Sequence, residues 1–125
     1  DVLYEVLELH PSNASILEPC VRLFACTAQL YKFDNCPHPP CDGLRLLPVM
    51  KQHCADMKII HPCLRALGML SHGSSERSAL VQHGGMEVVV AVIERFGHDG
   101  EMMEQACKTL DSMCTSPLAF FRLQG

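Results

Sequence analysis

The chain has 125 residues, 48% of them apolar, a net charge of −4 and a pI near 5.9. That is room for one domain with a real core, and too apolar for disorder. No apolar run reaches the roughly eighteen residues of a membrane-crossing helix, and the acidic balance argues against a nucleic-acid binder, which carries a basic excess.

The first residues, from Asp1, are already apolar-patterned, with no initiator Met and no signal peptide, so the chain reads as a piece of a longer protein. Leu3-Tyr4-Glu5-Val6-Leu7 has helical phase; Asp1, Glu5 and Glu8 line one face of it as a solvated surface. Asn13 then stands where a helix cap is needed, its short side chain able to accept from a first-turn N–H. The helix it opens carries Ile16, Cys20, Phe24 and Thr27 on one stripe. Three prolines between Asp34 and Gly43 forbid a regular helix there and predict an exposed loop. Leu46-Leu47-Pro48-Val49-Met50 resumes helical phase, and Asp56 caps a helix with the stripe Ile59, Cys63, Leu67, Leu70. A short helix over 75–82, capped by Ser74 or Ser75, ends at Gly84-Gly85, since glycine supplies the left-handed conformation that stops helices. The run Val88-Val89-Val90-Ala91-Val92-Ile93 suits a strand locally, but the matching stretches at 3–7 and 46–50 lack the valine bias and favour a helix over 86–96. Asp99 caps the last full helix, with Met102, Ala106, Leu110 and Met113 on its stripe.

These segments repeat. Forty-three residues separate Cys20 from Cys63, and the same number separates Cys63 from Ala106. Ile16, Ile59 and Met102 share a phase, as do Val21, Leu64 and Cys107, and Arg22, Arg65 and Lys108. A fixed period of this size is the mark of a solenoid, whose units stack because none buries its apolar face alone. The position seven residues past each cap is always small (Cys20, Cys63, Ala106), which lets neighbouring helices approach closely. Pro19 and Pro62 sit inside the capped helices and imply a bend or an irregular first turn; Pro48 raises the same difficulty in its helix.

Eight cysteines would suggest disulfides in a secreted chain, and Asn13-Ala14-Ser15 matches a glycosylation acceptor. The cysteines fall in helical apolar patterns, where a thiol acts as a small hydrophobe, and Asn13 serves as a cap. A reduced intracellular compartment, cytoplasmic or nuclear, is the better reading.

Ala66-Leu67-Gly68-Met69-Leu70-Ser71, Gln82-His83-Gly84-Gly85-Met86 and Ala106-Cys107-Lys108-Thr109-Leu110 resemble the armadillo repeat. The resemblance covers essentially the whole chain, as one domain over 1–125 with units near 1–33 (partial), 34–73, 74–116 and the start of another at 117–125. It implies an all-α fold, an armadillo-type α-solenoid in which stacked three-helix repeats form a right-handed superhelix and the third helices line a concave groove. Importin-like members hold a basic peptide with tryptophan and asparagine nine and thirteen residues past the third-helix cap. Here those positions hold Arg22, Arg65 and Lys108, and Cys26, Met69 and Ser112, and the chain has no tryptophan. Import chemistry is therefore not implied. The groove residues are instead a ladder of cations suited to carboxylates.

The expected function is a non-catalytic interaction scaffold that binds an acidic protein or peptide segment along that groove, with neither nucleic acid nor membrane as partner and with no cofactor. Three solvated charges paired with Glu18, Glu104 and similar neighbours would give the same residue pattern without a ligand. A structural or regulatory arm of a larger protein is the alternative, and exposed repeat edges would favour self-association. Cys36, His38 and Cys41 offer three of the four ligands zinc wants, with His53 or Cys54 to complete the set; the spacing fits no standard zinc pattern, so a metal or redox-sensitive module is the lesser reading and an ordinary loop the preferred one. His10 and His53 share a phase at helix ends, a capping position. No phosphate loop, nucleophile elbow or His-Glu-x-x-His motif is present, and the chain does not read as an enzyme.

Overall fold

The computed structural model describes residues 2–33, 43–71 and 74–114. Among these there are seven α-helices, one short 3-10 turn and no strand. The helices are α1 (Val2–Leu9), α2 (Ala14–Phe33), α3 (Leu46–Gln52), α4 (Met57–Leu70), α5 (Ser74–Gln82), α6 (Gly85–Phe96) and α7 (Gly100–Met113); the 3-10 turn, Gly43–Arg45, leads into α3.

Three of these helices start on the caps read from the sequence. Asn13 Oδ1 accepts from the Ser15 N–H at 3.1 Å, Asp56 Oδ1 from Lys58 at 3.0 Å and Asp99 Oδ1 from Met102 at 3.0 Å. Each bond satisfies a first-turn donor that has no intrahelical acceptor. The valine run is helical, as α6, because every second valine of a strand would face one way. Here Val88, Val89 and Val92 are buried while Ala91 is exposed, a helical spacing.

The prolines are accommodated differently from one another. Pro48 is the third residue of α3, in the first turn, where a backbone N–H would lack a partner anyway. The expected disruption of that helix therefore does not occur. Pro19 and Pro62 are each the sixth residue of their helices, and α2 and α4 run through them without a break. The carbonyls they leave without an i+4 donor belong to Ser15 and Lys58, both exposed, so water can serve them.

α4 is the central element. It packs on α2 on one side and on α7 on the other, and touches α3 and the 3-10 turn as well. Past Lys58 none of its residues is exposed, and Ile59, Ile60, Cys63, Leu64, Ala66 and Leu67 are fully buried. α1 lies on α2, and α6 lies on α3, α5 and α7. Cys20, Cys63 and Ala106 are all buried, at the small position of each capped helix. α2 departs from the expected stripe at both ends. Ile16 and Thr27 are only half-buried, and Leu17 and Ala28, one position further on, are buried instead. α2 is packed by α1 and α4, whereas α4 has neighbours on more sides, so its inward face is turned differently.

Polar contacts tie the first two helix pairs together. Arg45 forms an ion pair with Glu8, and its guanidinium carbon lies 5.1 Å from the centre of the Tyr4 ring. Glu8 is thus a partner in an ion pair, not part of a merely solvated face. Tyr4 also packs on Phe24, ring centres 5.4 Å apart. His53 Nε2 stands 2.8 Å from the Pro11 carbonyl oxygen, and Gln52 Nε2 donates to Ser12 Oγ at 2.8 Å. Val2, Leu9, Leu23 and Met57 are large apolar residues that remain exposed.

Gly84, between α5 and α6, and Gly85, the first residue of α6, are glycine for two distinct reasons. Gly84 adopts φ +90°, a region that side chains disfavour. A Cβ on Gly85 would lie 2.8 Å from the Leu80 carbonyl oxygen. Gly100, by contrast, begins α7 with nothing within 4 Å of such a Cβ. Gly85→Ala is expected to cost about 1–3 kcal/mol through this overlap, and Gly100→Ala to be neutral or stabilising by up to about 1 kcal/mol. Urea unfolding of the two variants beside the parent checks the contrast, and equal behaviour of the two would contradict it.

Candidate functional site

Arg65 and Met69 stand on one face of α4, a turn apart, and Lys108 and Ser112 stand likewise on α7. The two pairs meet across a depression of about 310 Å³ lined by Arg65, Gly68, Met69, Gln105, Lys108 and Ser112. Four of the six predicted groove residues therefore share one surface feature. Arg22 and Cys26, also a turn apart, are exposed on α2 and do not line it.

The depression has the width it has because α4 and α7 approach closely at Gly68. A Cβ there would lie 3.2 Å from Thr109 Oγ1 and 3.5 Å from Thr109 Cα. Thr109 is fully buried, and its hydroxyl donates to the Leu64 carbonyl oxygen at 2.8 Å, with the Gln105 carbonyl at 3.0 Å as its intrahelical alternative. A hydroxyl buried without such a partner would be costly. The sequence reading missed Thr109. It fills a position whose counterparts, Leu23 and Ala66, are apolar, and that change of residue type was the available signal.

The cations are held unequally. Arg22 donates to Glu18 at 3.0 Å and Lys108 Nζ pairs with Glu104 at 3.0 Å, both one helical turn back. Lys108 and Glu104 are each about two-thirds exposed, so the pair contributes ~0–1 kcal/mol and exchanges readily with solvent. Arg65 has no such partner among the described residues. Its Nε is shielded from solvent and makes no hydrogen bond, and the residue one turn back is His61. Ser112 Oγ donates to the Lys108 carbonyl at 3.1 Å.

A second, larger cavity of about 660 Å³ opens between α3 and α6, lined by Met50, Cys54, Val88, Ala91 and Val92 with Lys51, Glu87 and Arg95 at its edges. The sequence reading did not identify it. Its charges are mixed in sign, and its wall is the flank of two core helices. The smaller depression has the same number of cations and no acid in its lining.

The six described cysteines are free thiols. Among the described residues no group of three His, Cys, Asp or Glu side chains is placed to hold a metal ion. Cys36, His38 and Cys41 lie outside the described residues, as do the further unit at 117–125 and the expected loop from 34 to 43 apart from Gly43, which is buried at the start of the 3-10 turn. No helix among the described residues is long and apolar enough to cross a membrane.

Burial pushes the Cys63 thiol up from 9.0 to about 12, with the neighbouring Cys20 adding to the effect. Burial also raises Cys20, and it raises Cys114 with help from Asp111. Cys63 is thus a packing group and a poor nucleophile. The folded state disfavours its thiolate, so the unfolded chain loses this proton first. The resulting stability is complete below pH 9 and is lost as pH rises towards 12. Cys63→Ala should flatten the alkaline decline of unfolding free energy relative to the parent, and Cys63 should resist iodoacetamide while exposed Cys26, Cys54 and Cys107 react. Parallel alkaline declines in the two proteins, or early labelling of Cys63, would contradict this. No family model matches the chain, and no curated protein or solved structure matches it, so a functional reading rests on the geometry above.

Proposed function

We propose that the chain is a non-catalytic interaction module of the armadillo-type α-solenoid class, and that it binds an acidic peptide segment along α2, α4 and α7. In this reading α2, α4 and α7 are the third helices of successive units, and α1, α3 and α6 the second helices. The packing of α4 between α2 and α7 supports it, as does the recurrence of capped helices at one period. The observation that carries the binding role is the depression between α4 and α7, where equivalent positions contribute Arg65 and Lys108 beside Met69 and Ser112. Arg22 extends the same row on α2. Guanidinium groups pair with carboxylates in a fork geometry that lysine lacks, which suits two arginines in a row to aspartate and glutamate side chains.

The exposed apolar residues Val2, Leu9, Leu23 and Met57 favour a second reading, a structural or regulatory arm covered by other parts of a larger protein or by a second copy. Under it the chain alone has no ligand.

The two readings differ in one measurement. A fluorescein-labelled oligoglutamate peptide should bind the parent and bind less tightly as salt is raised. The triple variant Arg22→Glu, Arg65→Glu, Lys108→Glu should lose binding while keeping its helical circular dichroism. Binding unchanged by the triple reversal would remove the groove from consideration.

A further inference from the structure

We infer that the row of cations is not a uniform ladder but a single anion seat: Arg65, left without an intrahelical carboxylate by His61, anchors one glutamate or aspartate side chain of the bound segment, with Lys108 as its second contact. This rests on the groove reading above and sharpens it to one position.

Three equivalent helical turns differ at one position. In α2 the residue four before the cation is Glu18, and it holds Arg22 at 3.0 Å. In α7 it is Glu104, and it holds Lys108 at 3.0 Å. In α4 the same position is His61. Glu placed four residues before a cation is the favourable arrangement for an intrahelical pair, so two of the three cations come with a counter-charge built into their own helix. Arg65 has none among the described residues. Its Nε, like that of Arg77, is shielded from solvent without a hydrogen-bond partner, so an incoming carboxylate would meet the terminal nitrogens of the guanidinium. A half-buried guanidinium with no ion-pair partner among the described residues, on the wall of a polar depression, gains more from an incoming carboxylate than a cation already paired within its own helix.

The charge balance also selects the kind of anion. Lys108 shares its charge with Glu104, and the chain as a whole is at −4. The depression therefore offers roughly one uncompensated positive charge, which matches a carboxylate. A phosphate would bring its second negative charge up to Glu104. The polar groups beside Arg65 are the Gln105 amide, which donates to Thr109 Oγ1 at 3.5 Å, and the Ser112 hydroxyl, which donates to the Lys108 carbonyl, while Met69 supplies an apolar wall for the methylene groups of glutamate. Gly68 keeps the floor low, since a side chain there would fill the space now taken by Thr109.

The decisive variant is His61→Glu. It gives Arg65 the same intrahelical partner that Arg22 and Lys108 already have, and alters no residue of the depression. His61→Gln, which removes the imidazole without adding charge, is its control. Fluorescence anisotropy with the oligoglutamate peptide should show binding weakened about tenfold or more by Arg65→Ala, clearly weakened by His61→Glu, and close to the parent for His61→Gln. Arg22→Ala should change binding by less than about twofold, and Glu104→Ala should tighten it by freeing Lys108. Circular dichroism identifies any variant that has lost its fold, and Arg65→Lys gives a folded alternative that keeps the charge but loses the fork. Peptide binding that survives His61→Glu unchanged, or that depends equally on Arg22 and Arg65, would overturn the single seat while leaving the groove in place. Tighter capture of a phosphoserine peptide of the same length would overturn the choice of carboxylate. Absence of oligoglutamate binding to the parent would overturn both the seat and the groove.

Discussion

The contact between α4 and α7 fixes the rest of the candidate site. It is made by the Thr109 hydroxyl bonded to the Leu64 carbonyl and by Gly68, which has no side chain to keep the helices apart. Arg65 follows Leu64 in sequence, and Lys108 precedes Thr109. The bond that closes the interface therefore also sets how far apart the two cations stand. Replacing Gly68 with any larger residue would push on Thr109 and widen the depression before it touched a ligand. Packing and recognition are thus coupled through one turn of each helix.

The same centrality explains where polar groups are tolerated. α4 has core neighbours on several sides, so a half-buried guanidinium on it sits close to apolar atoms, and its hydrogen-bonding needs are felt more than those of the exposed Arg22 on α2. The exposed pairs Glu18–Arg22 and Glu104–Lys108 are weak in water and hold their partners loosely. The three cations therefore differ in how each is paired within its own helix, and Arg65 alone of them has no acid one turn back.

Much of this was legible in the sequence because it depends on local rules. The caps Asn13, Asp56 and Asp99, the glycines where α5 gives way to α6, and the small residues Cys20, Cys63 and Ala106 follow from backbone donors, positive φ and close packing, each set by a few neighbouring residues. The pairing of Arg65 and Met69 with Lys108 and Ser112 followed from the period, since equal offsets on helices that pack together face one another. Other features were not legible. Pro48 looked like an interruption because the 3-10 turn before α3, which places it in a first turn, has no clear signal of its own. The rotation of the α2 stripe from Ile16 to Leu17 depends on which helices flank it. Thr109 needed the partner carbonyl on α4, forty-five residues away in sequence, and the cavity between α3 and α6 needed the relative placement of two helices. The pairing of Arg45 with Glu8 likewise joins residues that no pattern links.

A chain built on a recurring helix repeats residue types at equivalent positions for reasons of packing and solubility alone, so recurrence is weak evidence of a binding role. Departures from the pattern say more, because each has to be accommodated against the same surrounding geometry. Two departures act on residues that line the α4–α7 depression. His61 replaces an acid and leaves a cation uncompensated; Thr109 replaces an apolar residue and fixes the wall that the cation lines. Neither is needed to stack helices, since α2 and α4 pack without a buried threonine between them and an acid at position 61 would have paired Arg65 as it does elsewhere. That both bear on the same depression, one through Arg65 and the other through Gly68, is a stronger reason to look there for a ligand than the number of basic residues along the row.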